Sequence, residues 1–351
     1  AISEAKDALN GIERLKAAKA KADKFIESLA HINQAQLVHA LKDIANSDTL
    51  TTLARIVDKA NDLDEAMQAL KDEITQNAAP VQSSSNYINA DEDLKDQFDH
   101  ALNNARRTLA KATGKNLDES EIEGLKQAIK DAKATLNGEQ RLAEAKIKAE
   151  KALNTFKDLN HAQREESISQ TKTADNLQDL AQIVAKAADL NDVMRDLRDK
   201  LKSTVNPVKA SINYQNADED LKLQFDHAVQ VAHDVLNKKD GTNIDITIIN
   251  GMTQAIQDAK NALNGEHRLN DAQTEAHKAI DDTLKHQLDE INNANATDES
   301  KAQAKRVAED VAKEAHARID NTKSNSAVQT AKDEGTIAIQ NTHADELSKA
   351  K

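Results

Sequence analysis

Cysteine is absent from this chain of 351 residues, and aromatic residues make up only 2% of it. Without cysteine the chain has no disulfide bonds and no thiolate zinc sites, although this absence does not fix its compartment. Hydrophobic residues are also sparse, at 38%, so one large core is not expected. The composition favours several small bundles of alanine-rich helices.

Residues that end helices are rare, since the whole chain contains eight glycines and two prolines. Runs of alanine, leucine, lysine, glutamate and glutamine are strong helix formers. We therefore expect an almost wholly helical protein of the all-α class.

Positive charge is outweighed, because 60 acidic residues against 47 basic ones give a formal net charge of −13. A chain of this charge is not expected to bind nucleic acid or to contact a membrane. Its apolar runs are too short for a membrane span or a signal peptide. The chain begins within what resembles the last turns of a helix. We expect a fragment of a longer repeating protein, with any export signal or anchor outside it.

What the chain does contain is a long internal repeat. The triplet Leu-Asn-Gly occurs at residues 9–11, 136–138 and 263–265, so its copies are 127 residues apart. The same spacing relates other residues of the two copies: Pro80 to Pro207, Tyr87 to Tyr214, and Phe98 to Phe225. Each triplet closes an apolar helical pattern, and its Asn-Gly is predicted to supply the residue that tolerates positive φ after a helix. Two full copies therefore precede a different tail.

The first half of each copy predicts three helices. A helix covers residues 12–29, and Asn33 and Gln36 then have the spacing of a capping box before a short second helix. Asp48, or Asp175 in the second copy, is predicted to cap the third helix. That third helix carries an apolar stripe at spacings of three and four: Leu53, Ile56, Val57, Ala60, Leu63, Met67, Leu70 and Ile74.

A proline follows the third helix in each copy, as Pro80 and Pro207. A proline here either kinks a continuing helix or lies in the first turn of a new one, and a nearly continuous helix is favoured. The next helix is predicted to start at Asn89, with Glu92 at capping-box spacing. A loop then leads to Asp118, which is predicted to begin the last helix of the copy.

Specific motifs add a family resemblance. Residues 12–74, with their Leu/Ile-Asn-x-Ala-Gln turn, resemble a GA module, the three-helix type of bacterial albumin-binding proteins. Residues 85–91 through 132–138 resemble a FIVAR module. The tail predicts three further helices, with Thr297 capping the second, and it resembles a DUF1542 repeat. Along that second helix the predicted apolar stripe is Ala304, Val307, Val311, Ala315 and Ile319.

Alternating FIVAR and GA modules followed by DUF1542 are typical of the giant staphylococcal extracellular-matrix-binding surface proteins of the Ebh and Embp type, which this chain resembles over essentially its whole length. We therefore predict an elongated string of tandem three-helix bundles joined by long or nearly continuous helices. The predicted bounds are 1–11 for the end of a preceding FIVAR module, 12–75 and 139–202 for GA-like bundles, 76–138 and 203–265 for FIVAR-like bundles, and 266–351 for the DUF1542-like bundle.

This resemblance implies an extracellular adhesin of the bacterial cell surface or cell wall, a monomeric rod that binds host fibronectin or another matrix protein weakly and multivalently and supports attachment and biofilm. The alternative is a passive rod-like spacer with no ligand of its own. Albumin is not favoured as a partner, because the second helix differs strongly between the copies. Leu37 and Val38 of the first copy become Arg164 and Glu165 in the second.

The sequence does not predict an enzyme, and it identifies no catalytic, cofactor-binding or metal-binding residues and no ligand-binding face. Eleven histidines are scattered along the chain. The closest helical pairs, His227 with His233 and His277 with His286, lack the i, i+4 spacing of two metal ligands on one face. Exposed histidines are therefore expected.

Three other features have a ligand interpretation and a structural one. The acids 91–93 suggest calcium but lack the spacing of an EF-hand, and acids at a helix N-terminus explain them. The loop 240–245 has oxygen ligands, but the first copy places Lys115 there, so a turn is favoured. Tyr87 and Tyr214 are either ligand anchors or half-buried residues that hold a helix corner, and the second is favoured.

Overall fold

The computed structural model describes residues 2–7 and 9–345 of the chain. Residues 1, 8 and 346–351, which belong to the predicted bounds 1–11 and 266–351, lie outside the described residues. Within the described part the chain is all-α and forms no β-strand. Its helices are α1 Ile2–Asp7, α2 Gly11–Ser28, α3 Gln34–Asn46, α4 Leu50–Asp72, α5 Ser85–Ile88, α6 Glu92–Leu109, α7 Glu119–Thr135, α8 Gly138–Thr155, α9 His161–Thr173, α10 Leu177–Ala210, α11 Ile212–Gln215, α12 Glu219–Leu236, α13 Ile246–Ala262, α14 Gly265–Asn293, α15 Asp298–Asp320 and α16 Asn325–Gln340.

The described residues fall into two compact units. The first unit lies within Ala1–Ala152 and Gln170–Ile183, and the second within Leu153–Ser169 and Val184–Lys351. Each unit contains more than one hydrophobic core. The all-α bundles that the composition predicts are therefore confirmed, with small cores in place of a large one.

The first unit contains two cores that share a helix. Helices α2, α3 and α4 bury one cluster of apolar side chains: Ala22, Ile26, Ile32, Ile44, Leu53 and Ala60. The end of α4 belongs to the other core, where Met67 and Leu70 pack with Phe98 and Leu102 of α6. Leu63 packs against both clusters. Because one helix serves both cores, packing passes between them within α4, before the predicted boundary at 75/76.

The proline after this helix behaves differently in the two copies. In the first copy α4 widens into a π-helical turn, Glu73–Ala78, and then tightens into a 3₁₀-helix, Ala79–Ser83, with Pro80 in its first turn. The wide turn lets the Ala79 N–H donate to the Ile74 carbonyl, five residues back. In the second copy Pro207 lies inside α10, which continues to Ala210. The predicted nearly continuous helix is thus confirmed for Pro207, and the chain also stays helical through Pro80 to Ser83, where a change of helix type accommodates the missing N–H.

The second unit repeats this arrangement and adds the tail. One core, with Phe225 and Met194, joins the end of α10 to α12 and α13. A smaller core joins Leu153, Leu159, Ile168 and Ala187. Helices α14, α15 and α16 form a three-helix bundle with two further clusters. The predicted third module is therefore present as three helices, and Thr297 caps α15 as predicted.

The predicted stripe of α15 is only partly right. Val307 is 41% exposed, whereas Ala308 and Ala312 are buried. Small side chains line this face because α15 and α16 approach closely: a Cβ on Gly335 would lie 2.6 Å from the Cβ of Ala315. Ala304, Ala315 and Ile319 are buried as predicted and Val311 packs against the core, so the correction concerns Val307, whose predicted place in the core is taken by alanines.

The Leu-Asn-Gly triplets do separate helices, but for a different reason from the predicted one. No residue with positive φ occurs among the residues described, so the interpretation of Asn-Gly as a left-handed helix end is wrong. Gly138 is instead the first residue of α8 and lies against the Asn86 carbonyl: an added Cβ would be 2.1 Å from that oxygen. Gly265 has the same contact with Asn213. Close backbone approach is what requires glycine here.

The predicted caps are corrected at two places. The third helix of each GA-like segment is capped one residue later than predicted, by Thr49 and not Asp48, and by Asn176 and not Asp175. The side chains of Thr49 and Asn176 accept from the backbone N–H three residues on, as an N-cap does. Asp118 caps α7 in a capping box with Glu121, as the sequence indicates.

We expect Gly138→Ala and Gly265→Ala each to lower the free energy of unfolding of their unit by about 1–3 kcal/mol, because the added methyl group collides with a backbone carbonyl. The matched control is Gly11→Ala, in the same triplet, since nothing lies within 4 Å of the Cβ position at Gly11. That control should be neutral or slightly stabilising. Urea denaturation of the full chain measures all three, and equal effects at the three glycines would contradict the close-contact explanation.

Candidate functional site

The described residues do not gather into a metal-ligand cluster of three or more histidine, cysteine, aspartate or glutamate side chains. The acids at 91–93 are used for structure. Asp91 accepts a hydrogen bond from the Asn137 side chain at 2.7 Å and pairs with Arg141 at 3.1 Å. In the loop 240–245, Asp245 caps α13. Asp91 and Asp245 therefore serve at the starts of helices, which agrees with the structural interpretation of both features.

The polar groups that the structure does concentrate lie at the junctions between modules. Asn33, which is fully buried, closes a capping box with Gln36 at the start of α3. Its side-chain Nδ2 also donates to two carbonyl oxygens of the following FIVAR-like loop, those of Thr108 at 3.1 Å and Lys115 at 2.9 Å. One asparagine thus caps its own helix and holds the neighbouring module. We call this the capping-box junction.

The capping-box junction is repeated in the second copy. Asn160 is also fully buried and donates to the carbonyls of Val235 at 3.0 Å and Thr242 at 2.9 Å. A glycine lies beside each asparagine, because a Cβ on Gly114 or Gly241 would come within 2.7 Å of the asparagine Nδ2. In the second copy the loop 240–245 is therefore a turn that packs against the Asn160 side chain. This contact agrees with the interpretation of the loop as a turn and not as a ligand site.

A lysine completes each capping-box junction. Lys111 Nζ donates to the Ile32 carbonyl at 2.7 Å, and Lys238 Nζ donates to the Lys157 carbonyl. Desolvation, together with the nearby charges of Arg198 and Arg164, lowers the pKa of Lys238 to about 8. The lysines act through their ammonium groups on carbonyls at the end of the preceding turn, where cations are favoured.

A second kind of junction joins a FIVAR-like module to whatever follows it. Asn89 is 2% exposed, its Nδ2 donates to the Asp175 carbonyl at 2.9 Å, and its Oδ1 accepts from the Leu177 N–H at 2.8 Å. Leu177 is the first residue of α10, so this N–H has no partner within its own helix. Asn89 therefore caps a helix of the next module. We call this the bridging-asparagine junction.

The same bridge forms before the DUF1542-like bundle. Asn216 donates to the Lys323 carbonyl at 2.9 Å and accepts from the Asn325 N–H at 2.8 Å, at the start of α16. Its partners are backbone groups in both copies, so one FIVAR-like turn can hold two different kinds of module. The predicted role of Asn89 as the start of α6 is wrong: Asp91 is the N-cap there, and the side chain of Asn89 is used by the neighbouring module.

The two tyrosines lie in the short helices α5 and α11, at the corners before α6 and α12. Tyr87 is half-buried, packs edge-to-face on Phe98 at 5.9 Å and donates its hydroxyl to Asp99 at 2.7 Å. Burial, with the charge of Asp99, raises the pKa of Tyr87 to about 12. Tyr214 makes the equivalent contacts with Phe225 and Asp226. The hydroxyls are thus used internally, in agreement with a structural role.

The turn before the second GA-like helix, which is α3 in the first copy and α9 in the second, is stabilised by a carboxylate in one copy and by an amide in the other. Asp64 accepts from the N–H groups of His31 at 2.6 Å and Ile32 at 3.0 Å, and its other oxygen lies 2.9 Å from His31 Nδ1. Burial alone would raise the pKa of Asp64, but these hydrogen bonds and the His31 side chain together lower it below its ordinary value. In the second copy a neutral Asn191 accepts from the Asp158 N–H at 2.8 Å.

The histidines are not all exposed. His227, His233 and His286 lie on the surface as predicted. His277 is half-buried and faces His316 of the next helix, and His31 and His316 are half-buried too, so the exposed interpretation is wrong for these three. A search for pairs within one helix cannot find this contact. The His-x-x-x-Asp spacing on both helices does not identify the pair either, because the exposed His39 and His267 have the same spacing.

The surface of the second GA-like helix differs between the copies as predicted for Val38 and Glu165, which are both exposed. Leu37 and Arg164 are half-buried, and Leu37 packs against the core. The outward change between the copies therefore rests on the exposed positions, while Leu37 belongs to the bundle interior.

We expect Asn89→Ala to lower the free energy of unfolding of the first unit by about 1–3 kcal/mol, because it removes both hydrogen bonds of a buried side chain across the junction and leaves the Leu177 N–H without its acceptor. Hydrogen–deuterium exchange of the peptide that contains Leu177 should speed up in the variant. Asn61→Ala is the control, since Asn61 bonds only an exposed Glu65 of its own helix. Equal protection at Leu177 in both variants would refute the bridge.

We expect the first unit to lose stability on acidification from about pH 4 downwards, the ordinary aspartate range, as pH falls through the lowered pKa of Asp64. The sign follows from proton binding: the unfolded chain binds a proton at Asp64 at a higher pH than the folded chain. Asp64→Asn copies the neutral residue of the second copy and should make this part of the pH dependence vanish. Urea denaturation of chain and variant at pH 7 and at acid pH measures it, and an unchanged pH dependence would rule the explanation out.

Comparison with known proteins agrees with this modular arrangement. Family models match the chain as the GA module at 12–66 and 139–193, the FIVAR domain at 66–137 and 193–264, and the domain of unknown function DUF1542 at 272–347. The FIVAR matches begin inside α4 and α10, next to Met67 and Met194, the residues at which the packing passes to the second core.

The chain is 40% identical over all 351 residues to the extracellular matrix-binding protein EbhA of Staphylococcus aureus strain Newman, and it spans 10% of that protein. It has the same identity to the extracellular matrix-binding protein ebh of strain USA300 / TCH1516, of which it spans 3%. A crystal structure of EbhA (756-1003 domain) from Staphylococcus aureus has the same fold: it covers 79% of this chain and 98% of its own, with a TM-score of 0.58 and 24% identity.

No helix in the described residues is long and apolar enough to cross a membrane. The GA module is not an enzyme family, and these relatives are named extracellular matrix-binding proteins. The order of modules, the repeated junctions and the identity over the full chain lead to one conclusion: this protein belongs to the family of staphylococcal extracellular matrix-binding proteins in which GA and FIVAR modules alternate and a DUF1542 module follows.

Proposed function

We propose that this chain is an adhesive stretch of a bacterial surface protein that binds a host matrix protein, with fibronectin as the first partner to test. The observation that carries the proposal is the repetition of whole modules: the capping-box junction recurs in the second copy with its partners 127 residues on, and the bridging asparagine recurs with backbone partners in a different module. Relatives of the chain are named extracellular matrix-binding proteins. Repeated modules give one chain several equivalent contact surfaces.

Weak contacts become effective when they are linked. Once one module has bound, the next meets its partner at an effective concentration that the length of the chain sets, so avidity exceeds the affinity of either site. Two GA modules and two FIVAR modules in 351 residues provide this repetition. We propose that the protein acts outside the cell, at the surface or in the wall, where attachment and biofilm formation draw on such contacts.

A passive spacer is the second candidate, and the junctions favour it specifically. Buried asparagines that bind backbone on the neighbouring module fix one module against the next. A spacer needs junctions that fix its modules, even when no module binds a ligand. In this alternative the chain is a monomer whose contribution is to hold a distal binding region away from the cell.

Albumin is a less favoured partner for these GA modules. The second helix presents Val38 in the first copy and Glu165 in the second, both exposed. The groove between α3 and α4 in the first unit is also bordered by residues 116–121, which form the end of the FIVAR-like loop and the first turn of α7. A large partner that reads this helix and groove would meet different side chains in the two copies and a neighbouring loop in the first.

Binding to immobilised fibronectin separates the two candidates. Because the chain has no cysteine, one added after its last residue gives a defined disulfide-linked dimer. We expect saturable binding of the monomer and at least tenfold tighter apparent binding of the dimer, from linked weak sites. Albumin-coated surfaces serve as the control, and sedimentation of the unmodified chain should show a monomer. If neither monomer nor dimer gives a saturable signal, the spacer is the function that remains.

A further inference from the structure

The DUF1542-like bundle contains a histidine pair that the proposed adhesive function does not use. His277 lies on α14 and His316 on α15, and their Nδ1 atoms are 2.5 Å apart. The ring centroids are 4.8 Å apart and the planes differ by 21°. Since the centroid separation exceeds the Nδ1 separation by about one ring width, the two rings meet edge to edge. Their Nδ1 atoms therefore point directly at each other.

Each ring is held from behind by a carboxylate of the opposite helix. His277 Nε2 lies 2.8 Å from Asp320 of α15, and His316 Nε2 lies 3.0 Å from Asp281 of α14. A carboxylate only accepts, so each Nε2 carries the proton and donates it. This fixes the tautomer and leaves a lone pair on each Nδ1. Two lone pairs then face each other across the contact between the helices.

Two facing lone pairs repel unless a cation lies between them. A proton can fill this position, and so can a metal ion that prefers imidazole nitrogen. The carboxylate behind each ring is the arrangement found in metal sites, where the second nitrogen of a ligating histidine donates to a carboxylate. Asp281 and Asp320 are both 68% exposed, and each ring is 29% exposed. An ion can therefore reach the pair from solvent and complete its coordination with water.

We propose that His277 and His316 bind one divalent transition-metal ion, of which Zn²⁺ is the representative, through their two Nδ1 atoms. Imidazole ligands select zinc, copper or nickel over magnesium and calcium, which prefer oxygen. Two Zn–N bonds at a tetrahedral angle place the nitrogens about 3.3 Å apart, so on binding the nitrogens must separate from 2.5 Å and each ring must tilt by about 35°. The bound ion joins α14 to α15 on the surface of the bundle.

Isothermal titration of the full, tag-free chain with ZnCl₂ tests the proposal. We expect one site per chain with a Kd in the micromolar range, because the protein supplies two ligands and water the rest. His277→Gln and His316→Gln should each weaken binding at least tenfold. Asp320→Asn should weaken it about tenfold or more while leaving both ligands in place, as loss of a supporting carboxylate does.

The matched controls are His267→Gln and His286→Gln on the same helix. Both residues are exposed and each lies near an acid four residues on, Asp271 or Glu290, so they report adventitious binding by a surface histidine. They should bind zinc as the unchanged chain does. A chain that binds no zinc saturably, or that binds it equally well after His316→Gln, overturns the proposal and leaves a shared proton between the rings.

A second measurement does not depend on heat of binding. Zinc that binds the folded bundle raises its melting temperature, whereas magnesium at the same concentration should not. The rise should disappear in His316→Gln and persist in His286→Gln. If His316→Gln fails to fold, which circular dichroism shows, Asp320→Asn still decides the matter, since a rise of unchanged size in that variant contradicts the role given to the carboxylate.

Discussion

Burying an amide side chain is costly unless each of its polar atoms finds a partner, and this constraint shapes the four asparagine junctions of the described residues. Asn33 and Asn160 are fully buried, and Asn89 and Asn216 are almost so. All four use backbone groups of a neighbouring module as partners. Because backbone groups are the same in every module, a single residue type can join modules of different sequence, provided that the partner loop presents its carbonyl and N–H at the right distance. Glycine is required at positions 114 and 241 because the asparagine side chain lies so close to the partner loop there.

The sequence predicted the features that depend on neighbours within one helix. Apolar residues at helical spacing identified the cores, and the capping box of Asn33 with Gln36 was found from its spacing alone. Asn89 shows the limit. Its spacing from Glu92 is that of a capping box, but its partners lie 86 and 88 residues further along the chain. No local pattern distinguishes an asparagine that caps its own helix from one that caps a helix of the next module.

The same limit explains the other corrections. Gly138 is required by a carbonyl of residue 86, so turn preferences could not identify its role. The pairing of His277 with His316 crosses two helices, and the alanine face of α15 depends on how closely α16 approaches. Pro80 and Pro207 have the same position in the repeat and yet lie in different helix types. For the glycine, the histidine pair and the alanine face the deciding contact is tertiary, and periodicity carries no information about it; for the prolines the structure gives no explanation of the difference.

The comparison of the two copies narrows where a ligand can bind. Tyr87 with Asp99 and Tyr214 with Asp226 are equivalent pairs, whereas Val38 and Glu165 present opposite chemistry at one position. A partner that binds both copies alike must therefore contact features that repeat, such as the FIVAR-like corner or the loops of the junctions. A partner that reads the second GA-like helix would bind one copy and not the other. The adhesion proposed above is multivalent and so requires the first arrangement, which makes the exposed surfaces that repeat between the copies, and not the variable helix faces, the first places to test for its contacts.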